Sequence, residues 1–248
     1  MQRYFLTTPF DDQNDESWIE GEDAKHISRV MRMSAGDSII AVSENEAYVS
    51  SILEVTTEGV RVKRNPDSLL PNREMPVSVS IACGLPKGDK LDYIVQKGTE
   101  LGMTALLPFE AERSIVKWDA KKGGKKVERL QKIAKEAAEQ CHRTVIPEVK
   151  EPVSITNLLA EASHYDVLLV ADEEDAKSNE PNRIADRLKN VYHKQSVLVV
   201  FGPEGGISRK EAELLKSAGF LSVSLGPRIL RTETAPLYVL SAMSYEFE

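Results

Sequence analysis

Two short segments concentrate the residues that suit ligand binding. Gly202-Pro-Glu-Gly-Gly206 follows the apolar run Val197–Phe201, and Leu225–Pro236 follows a second apolar run that begins at Leu221. Glycine lets a backbone approach a ligand closely and present its N–H and C=O groups. An ordinary turn between a strand and a helix is the alternative interpretation of a single Gly-Pro pair. The polar side chains in these segments are Glu204, Arg228, Arg231, Thr232, Glu233 and Thr234.

The common phosphate-binding motifs do not occur in this sequence. There is no Gly-x-x-x-x-Gly-Lys-Ser/Thr, and Gly84-Leu-Pro-Lys-Gly88 has the wrong spacing for a dinucleotide fingerprint. There is also no nucleophile elbow, and neither Cys83 nor Cys141 belongs to a Cys-x-x-Cys pair. The pattern therefore favours a cofactor bound through hydrogen bonds to a base and through packing, and it predicts no metal site.

From Val77 onwards, apolar runs alternate with segments of helical periodicity. This alternation predicts an α/β domain with a parallel sheet covered on both faces. In such a sheet ligands bind beyond the carboxyl ends of the strands, where both glycine-rich segments begin. The predicted strands are Val77–Ala82, Thr104–Phe109, Val167–Ala171, Val197–Phe201 and Leu221–Leu225. Two predicted helices span Lys125–Cys141 and Asn182–Val191. Three more are predicted to begin at Asp89, Ser208 and Pro236.

The first 64 residues favour short strands instead. β-Branched residues are frequent in Asp37–Val42 and Ala47–Val55, and Gly59–Arg64 alternates apolar with basic residues. A short helix is predicted from Asp23 to Val30. Asn65–Pro76 contains three prolines and has no periodicity, so it predicts a linker. The predicted domains are a small β-barrel in residues 1–70, a linker in 71–76 and the α/β domain in 77–248.

Charge is unevenly distributed along a chain whose net charge is −7. Asp11–Asp23 carries seven carboxylates and no base, whereas Arg113–Lys132 carries eight bases and two acids. Because salt screens charges beyond about 8–10 Å, a basic cluster can bind a polyanion even in an acidic protein. Solvated surface charge is the alternative. No apolar run approaches the ~20 residues of a membrane span, and no signal-peptide core is present, so we expect a cytoplasmic protein.

Gly202–Gly206 followed by Leu225–Ala235 forms a specific combination of motifs. Supporting motifs run along nearly the whole chain: Arg3-Tyr-Phe5, His26 with Val30-Met-Arg32, Lys87-Gly-Asp-Lys90, Gln96–Gly102, Glu112-Arg-Ser114, and Glu136–Gln140 with Arg143. Together they resemble the SPOUT superfamily of knotted methyltransferases, and within it the ribosomal RNA small subunit methyltransferase E family. His142 departs from the family pattern and is assigned no role.

This resemblance implies a PUA-like β-barrel followed by a parallel-sheet α/β SPOUT domain with a C-terminal trefoil knot. It also implies S-adenosyl-L-methionine as cofactor, a homodimer, and methylation of N3 of a uridine in 16S rRNA, either naked or in the assembled small subunit. The alternatives are a non-catalytic RNA-binding or ribosome-assembly factor on the same fold and a nucleotide-dependent α/β enzyme. The predicted cofactor-binding residues are Gly202, Pro203, Glu204, Gly205, Gly206, Leu225, Gly226, Ile229, Leu230, Arg231, Thr234 and Ala235.

Methylation of uracil N3 requires loss of its proton, through a general base or through stabilisation of the anion that spreads onto O2 and O4. Arg228 is the predicted source of positive charge for that anion. Phosphate anchoring, or a salt bridge with Glu204 or Glu233, is the alternative role for Arg228. Glu204 and Glu233 are the candidate bases. As an alternative, either carboxylate could cap backbone N–H groups or face the sulfonium charge of the cofactor.

The predicted RNA-binding residues are basic. His26, Arg29 and Arg32 are spaced by three on the predicted short helix, which would place them on one face. A solvated helix edge is the alternative. Arg3 and Arg113 complete the predicted set. Aromatic residues form only 6% of the chain, so shape and phosphate contacts are expected to outweigh base stacking.

Overall fold

The computed structural model describes residues 1–118, 120–172 and 182–248. Asp119 of the predicted basic segment lies outside the described residues, and so do the side chains of Lys121 and Lys122. The chain forms two compact units. The first comprises Met1–Glu74 with Ala138–Val145, and the second comprises Met75–Ala137 with Ile146–Glu248. The domain boundaries at residues 70 and 77 stay predictions.

The first unit is built on a five-stranded sheet. Its strands are β1 (Arg3–Phe5), β2 (Glu16–Ile19), β3 (Ser38–Ser43), β4 (Glu46–Val55) and β5 (Val60–Leu69). They lie in the order β1-β3-β4-β5-β2, with β1 parallel to β3 and the other neighbours antiparallel. All five strands contribute residues to one buried apolar cluster. In the described residues, the edge strands β1 and β2 do not pair with each other, so the sheet is a half-barrel and not a closed barrel.

β5 extends beyond its predicted end, so the segment predicted as a linker begins inside the sheet. The strand continues through Pro66 and pairs Leu69 with Tyr48 after an irregularity in the register. The Ser68 hydroxyl accepts a hydrogen bond from the Val49 N–H at 3.0 Å within this irregular stretch. A bulge therefore accommodates the proline without ending the strand.

The short helix predicted near residue 25 has two parts. α1 (Gly21–Lys25) is followed by a π-helical turn, His26–Val30, whose wider winding changes the angular spacing of its residues. Arg32 lies beyond this turn, with a φ angle of +54°. The prediction that His26, Arg29 and Arg32 share one face of a regular helix is therefore wrong.

The acidic segment near the start of the chain neutralises bases on β5. Arg61 forms ion pairs with Glu16 at 3.2 Å and with Glu54 at 2.8 Å. Arg64 pairs with Asp15 at 2.8 Å, and its guanidinium also lies over two aromatic rings. These two arginines are therefore engaged inside the unit, and their charge contributes little to binding of an external polyanion.

The second unit contains a seven-stranded sheet. Its strands are β6 (Ser78–Gly84), β7 (Met103–Glu110), β8 (Glu148–Val149), β9 (Val153–Ser154), β10 (Val167–Ala171), β11 (Ser196–Phe201) and β12 (Leu221–Ser222). They lie in the order β12-β10-β11-β6-β7-β8, and β9 pairs with β7. All of these described ladders are parallel, which confirms the predicted sheet. The trefoil knot stays a prediction.

Helices cover both faces of this sheet. They are α2 (Lys90–Glu100), α3 (Ala120–Gln140), α4 (Ile155–Glu161), α5 (Ile184–Leu188), α6 (Arg209–Ser217) and α7 (Thr234–Phe247). In β11, Val197, Val199 and Phe201 belong to one buried cluster, whereas Leu198 and Val200 belong to another. Because successive strand residues point to opposite faces, the two clusters lie on opposite sides of the sheet. No helix of the described residues is long and apolar enough to cross a membrane.

In the second unit, three predicted elements differ from the structure by three residues or more at one end. β12 ends at Ser222 rather than at Leu225, because the chain leaves the sheet and the Ser224 N–H bonds to the Asn182 carbonyl at 2.6 Å. α5 ends at Leu188 and not at the predicted Val191. The Val191 N–H donates to the Leu188 carbonyl, three residues earlier, whereas an α-helix pairs residues four apart. α3 begins at Ala120 instead of Lys125. These corrections concern element ends, which local sequence patterns define poorly.

Candidate functional site

A cavity of about 480 Å³ lies at the carboxyl ends of β10 and β11 in the second unit. Two segments form most of its wall: loop A (Gly202–Ile207), after β11, and loop B (Leu225–Thr232), before α7. The wall consists of Lys90, Arg113, Ala171, Asp172, Phe201, all of loop A, Val223, Leu225, Gly226, Arg228, Ile229, Leu230, Arg231, Thr232 and Ala235. All predicted cofactor-binding residues except Thr234 therefore line one cavity.

Loop A turns so tightly that its first residue must be glycine. A Cβ atom on Gly202 would lie 2.6 Å from the carbonyl carbon of Gly206 and 2.7 Å from the Ile207 nitrogen. The Gly206 N–H donates to the Pro203 carbonyl at 2.8 Å, and Gly206 has a φ angle of +71°. Gly84, at the end of β6, is also required, since its Cβ would lie 2.5 Å from Pro203 Cδ. The backbone conformation of loop A is thus set by close packing.

The exit of loop A is held by a capping box at the start of α6. The Ser208 hydroxyl accepts a hydrogen bond from the Glu211 N–H, and the Glu211 carboxylate accepts one from the Ser208 N–H. The second oxygen of this buried carboxylate accepts the Glu112 N–H at 2.8 Å. Glu211 therefore joins loop A and α6 to the segment after β7.

Arg113 supports loop A from the same segment. Its Nη1 donates hydrogen bonds to the carbonyl oxygens of Gly205 at 3.0 Å and Ile207 at 3.3 Å. The sequence predicted RNA binding for Arg113, but the structure places this side chain in the cavity wall as a brace for the backbone of loop A.

Lys90 engages the two glutamates that were candidate bases. Its Nζ lies 2.8 Å from Glu204 Oε1 and 3.5 Å from Glu233 Oε2, and the Lys87 N–H donates to Glu204 Oε1 at 3.1 Å. Burial alone would raise the pKa of Glu204, but the hydrogen bonds from Lys90 and Lys87 outweigh it, so this pKa lies below its ordinary value. Because a carboxylate with a lowered pKa is a poor proton acceptor at neutral pH, the base role predicted for Glu204 is not supported.

Loop B is open by comparison. Gly226 has a φ angle of +100°, and no heavy atom lies within 4 Å of the position that its Cβ would occupy. Ile229 is 77% exposed. Arg228 is exposed and forms no hydrogen bond or ion pair with residues in the part of the chain that the structure describes. The salt bridge proposed as an alternative for Arg228 is absent from that part, because Glu204 and Glu233 face Lys90.

Sequence reasoning missed two charged residues of the wall, Lys90 and Asp172. Lys90 belongs to a motif that supported the family resemblance, but nothing in that motif identifies its distant partners. Asp172 directly follows β10, so its position at the carboxyl end of a parallel strand was an available signal. Among the described residues, no group of acidic, histidine and cysteine side chains could hold a metal ion.

The residues predicted to bind RNA in the first unit separate into buried and exposed ones. Arg3 is only 5% exposed and donates to the Arg143 carbonyl at 2.8 Å, so direct contact of Arg3 with RNA is not supported. The His26 ring is partly buried and hydrogen-bonds to the Tyr4 hydroxyl at 3.0 Å. Arg29 and Arg32 are exposed, and neither forms an ion pair with any described residue.

Comparison with known proteins decides the family. A model described as an RNA methyltransferase domain matches residues 73–244, and one described as an RNA methyltransferase PUA domain matches residues 19–63. Ribosomal RNA small subunit methyltransferase E of Bacillus subtilis strain 168 is 46% identical over 256 residues, covering 100% of this chain and 98% of that protein. This chain belongs to the ribosomal RNA small subunit methyltransferase E family.

Solved structures agree with membership in this methyltransferase family. Ribosomal RNA small subunit methyltransferase E from Neisseria gonorrhoeae, bound to S-adenosyl methionine, has a TM-score of 0.82 and 27% identity and covers 100% of this chain and 98% of its own. A Legionella pneumophila protein in complex with the cofactor SAM has a TM-score of 0.84 and 32% identity, covering 98% and 97%. The predicted architecture, a PUA-like domain with a parallel-sheet methyltransferase domain, is thereby confirmed.

Proposed function

We propose that this family member transfers the methyl group of S-adenosyl-L-methionine to N3 of a specific uridine in the 16S rRNA of the small ribosomal subunit. The observation that carries the proposal is the cavity, whose wall contains the predicted cofactor-binding residues apart from Thr234. Its volume of about 480 Å³ falls within the roughly 300–1,000 Å³ typical of small-molecule sites. The cofactor bound by the Neisseria gonorrhoeae relative supports the same assignment.

The wall suits S-adenosylmethionine chemically. Loop A contributes Gly202, Gly205 and Gly206 to the wall, and the backbone groups there that Arg113 and Pro203 do not engage can form hydrogen bonds with a base or an amino-acid group. Val223 and Leu230 supply apolar packing in the same wall. When bound, the cofactor supplies an electrophilic methyl group on a positively charged sulfur. The residues of this chain must therefore place the uridine next to that group and favour the anionic form of its N3.

Arg228 is the residue that we assign to stabilisation of that anion. It lines the cavity, it is exposed, and it has no polar partner among the described residues. A guanidinium directed at uracil O2 or O4 would stabilise the negative charge that develops as N3 loses its proton. Since the hydrogen bond from Lys90 lowers the pKa of Glu204 and makes this carboxylate a weaker base, electrostatic stabilisation accounts for activation of N3 better than Glu204 as a base does, and the N3 proton passes to solvent.

The proposed reaction is tested by mapping the methylated nucleoside. Small subunits from a strain that lacks its own uridine-N3 methyltransferase, and naked 16S rRNA, are each incubated with the purified protein and S-adenosylmethionine. We expect 3-methyluridine at one position, found by mass spectrometry of RNA fragments. Methylation of another atom or base would overturn the proposal, whereas no cofactor binding in calorimetry would favour the non-catalytic RNA-binding factor. The two substrates show whether assembly is required.

Arg29 and Arg32 are the proposed phosphate contacts of the first unit. Each phosphate contact to a single strand contributes about −0.7 to the slope of log K against log salt. We expect the double variant Arg29→Ala/Arg32→Ala to bind RNA more weakly and to flatten the slope by about 1.4, which corresponds to two lost contacts. Salt titrations of RNA affinity measure this change, while cofactor affinity should stay unchanged.

A matched control removes two arginines that already have partners. Arg61→Gln/Arg64→Gln lowers the positive charge equally, but these side chains are ion-paired within the unit. We expect a change in slope below about 0.5, since few counterions are released from paired arginines. Equal slope changes in both double variants would remove the specific role assigned to Arg29 and Arg32.

A homodimer and a cytoplasmic location complete the proposal. α7 buries Val239, Leu240 and Met243 against the core, while Tyr238 and Tyr245 on the same helix are exposed. A helix with apolar residues on more than one side fits burial on more than one side. The exposed tyrosines are therefore consistent with a second copy of the chain packing on α7.

A further inference from the structure

Lys90, the first residue of α2, contacts carboxylates from two parts of the cavity wall. Glu204, at 2.8 Å, belongs to loop A, whereas Glu233, at 3.5 Å, comes directly after loop B. All three side chains are only partly exposed, so solvent screens their interaction less than it screens fully exposed pairs. A single ammonium group therefore connects the start of α2 to both loops.

The contacts of the two loops differ in how much they depend on Lys90. Loop A keeps its shape through the Gly202 turn, the Arg113 hydrogen bonds and the Glu211 capping box. Residues 225–235 have backbone hydrogen bonds from Thr234 and Ala235 to the Arg231 carbonyl. Within the part of the chain that the structure describes, the Lys90–Glu233 pair is the one side-chain ion pair or hydrogen bond of residues 225–235.

Removal of the ammonium would also change the local charge. Hydrogen bonding to Glu204 raises the pKa of Lys90, so the ammonium stays protonated at neutral pH. Without it, Glu204 and Glu233 would be two neighbouring carboxylates with no shared counter-ion, and their repulsion would move the loops apart. Loop A is fixed by its backbone contacts, so we expect loop B to move.

We propose that Lys90 is a positioning residue that holds loop B at the correct distance from loop A and thereby sets the affinity for the cofactor. The inference rests on the cofactor site of the proposed function. Lys90 acts through Glu204 and Glu233, and its own contact with the cofactor is not required.

The test measures binding of S-adenosylhomocysteine by calorimetry, because this product binds without turnover. Lys90→Met should weaken binding about tenfold, equivalent to 1.4 kcal/mol. Lys90→Arg keeps the charge and should stay within about threefold of the wild type. Lys97→Met is the matched control. Lys97 lies on the same helix, its Nζ pairs with Glu100 Oε1 at 2.7 Å, and neither residue belongs to the cavity wall. This control should bind like the wild type.

Two further readouts separate positioning from general stability. Lys90→Met should raise the KM for S-adenosylmethionine about tenfold and change kcat at saturating cofactor by less than threefold, because the weakened step is binding. Glu233→Gln should also weaken binding, and adding it to Lys90→Met should cause no further loss, because both changes break one contact and glutamine removes the repulsion that Lys90→Met leaves. Glu233→Gln provides the test if Lys90→Met does not fold.

The outcomes distinguish this inference from the proposed function. A wild-type protein that binds neither S-adenosylhomocysteine nor S-adenosylmethionine would overturn the cofactor assignment itself. If the wild type binds, the role of Lys90 is overturned by unchanged affinity in Lys90→Met, by no rescue in Lys90→Arg, or by fully additive effects in the double variant. An equal loss of affinity in Lys97→Met would point to a general effect of α2 stability and would also overturn the role assigned to Lys90.

Discussion

Loop A and loop B line the same cavity and share a Gly-Pro pair, yet they are held in different ways. The turn of loop A excludes a Cβ at Gly202, and Arg113 and Glu211 support it from the segment after β7. Gly226 of loop B has open space where a Cβ would lie, and Ile229 of the same loop is 77% exposed. Packing of the domain defines loop A, whereas fewer contacts of the described residues hold loop B.

This difference separates two roles within one binding site. A loop whose shape is fixed before the ligand arrives avoids the entropy cost of ordering on binding. A more open loop can admit a large substrate and then contact it, which suits the exposed Arg228. We therefore expect substitutions in loop A to affect folding and cofactor affinity together, and substitutions in loop B to affect the reaction more than the fold.

The largest effect is expected for Gly202→Ala. Its new Cβ would lie 2.6 Å from the carbonyl carbon of Gly206 and 2.7 Å from the Ile207 nitrogen, so the turn of loop A must open. We expect the free energy of unfolding to fall by about 2–4 kcal/mol and cofactor binding to be lost. Urea unfolding and calorimetry measure the two quantities.

Gly124→Ala serves as the control for this change. Gly124 lies within α3, and its nearest contact for a Cβ is at 4.0 Å, so alanine should leave stability unchanged or slightly raised. If Gly202→Ala is as stable as this control and still binds the cofactor, loop A is not defined by packing, and the contrast between the loops fails.

The next largest effect is expected for Arg228→Ala. Loss of the positive charge near O2 and O4 should lower kcat about 100-fold, while cofactor affinity and the free energy of unfolding stay close to wild type. Single-turnover methylation and calorimetry separate the two steps. A comparable loss of cofactor affinity would show that Arg228 contacts the cofactor and would remove its role at the uridine.

The smallest effect is expected for Gly226→Ala. The φ angle of +100° strains an alanine, but its methyl group meets no neighbouring atom within 4 Å. We expect a loss of about 1 kcal/mol in the free energy of unfolding, less than for Gly202→Ala, as measured by urea unfolding. A loss as large as that of Gly202→Ala would show that loop B is as constrained as loop A.

Local patterns in the sequence predicted the position of the cavity and all strands except the short β1, β2, β8 and β9. The run from Val197 to Phe201 is apolar at every residue, which predicts a strand buried on both faces, and the structure places its residues in clusters on both sides of the sheet. Since loops at the carboxyl ends of parallel strands converge, the wall formed by loop A and loop B was predictable before any contact was known.

The tertiary structure alone decided the partners of the charged residues. Lys90 and Glu204 are 114 positions apart, Arg113 and Gly205 are 92 apart, and Arg3 and Arg143 are 140 apart. Periodicity and spacing describe neighbours within a strand or a helix, so they carry no information on contacts across such distances. The sequence by itself therefore determined the family, the sheet and the cavity-lining loops, whereas long-range packing decided which basic residues brace the cavity, which are buried, and which stay exposed.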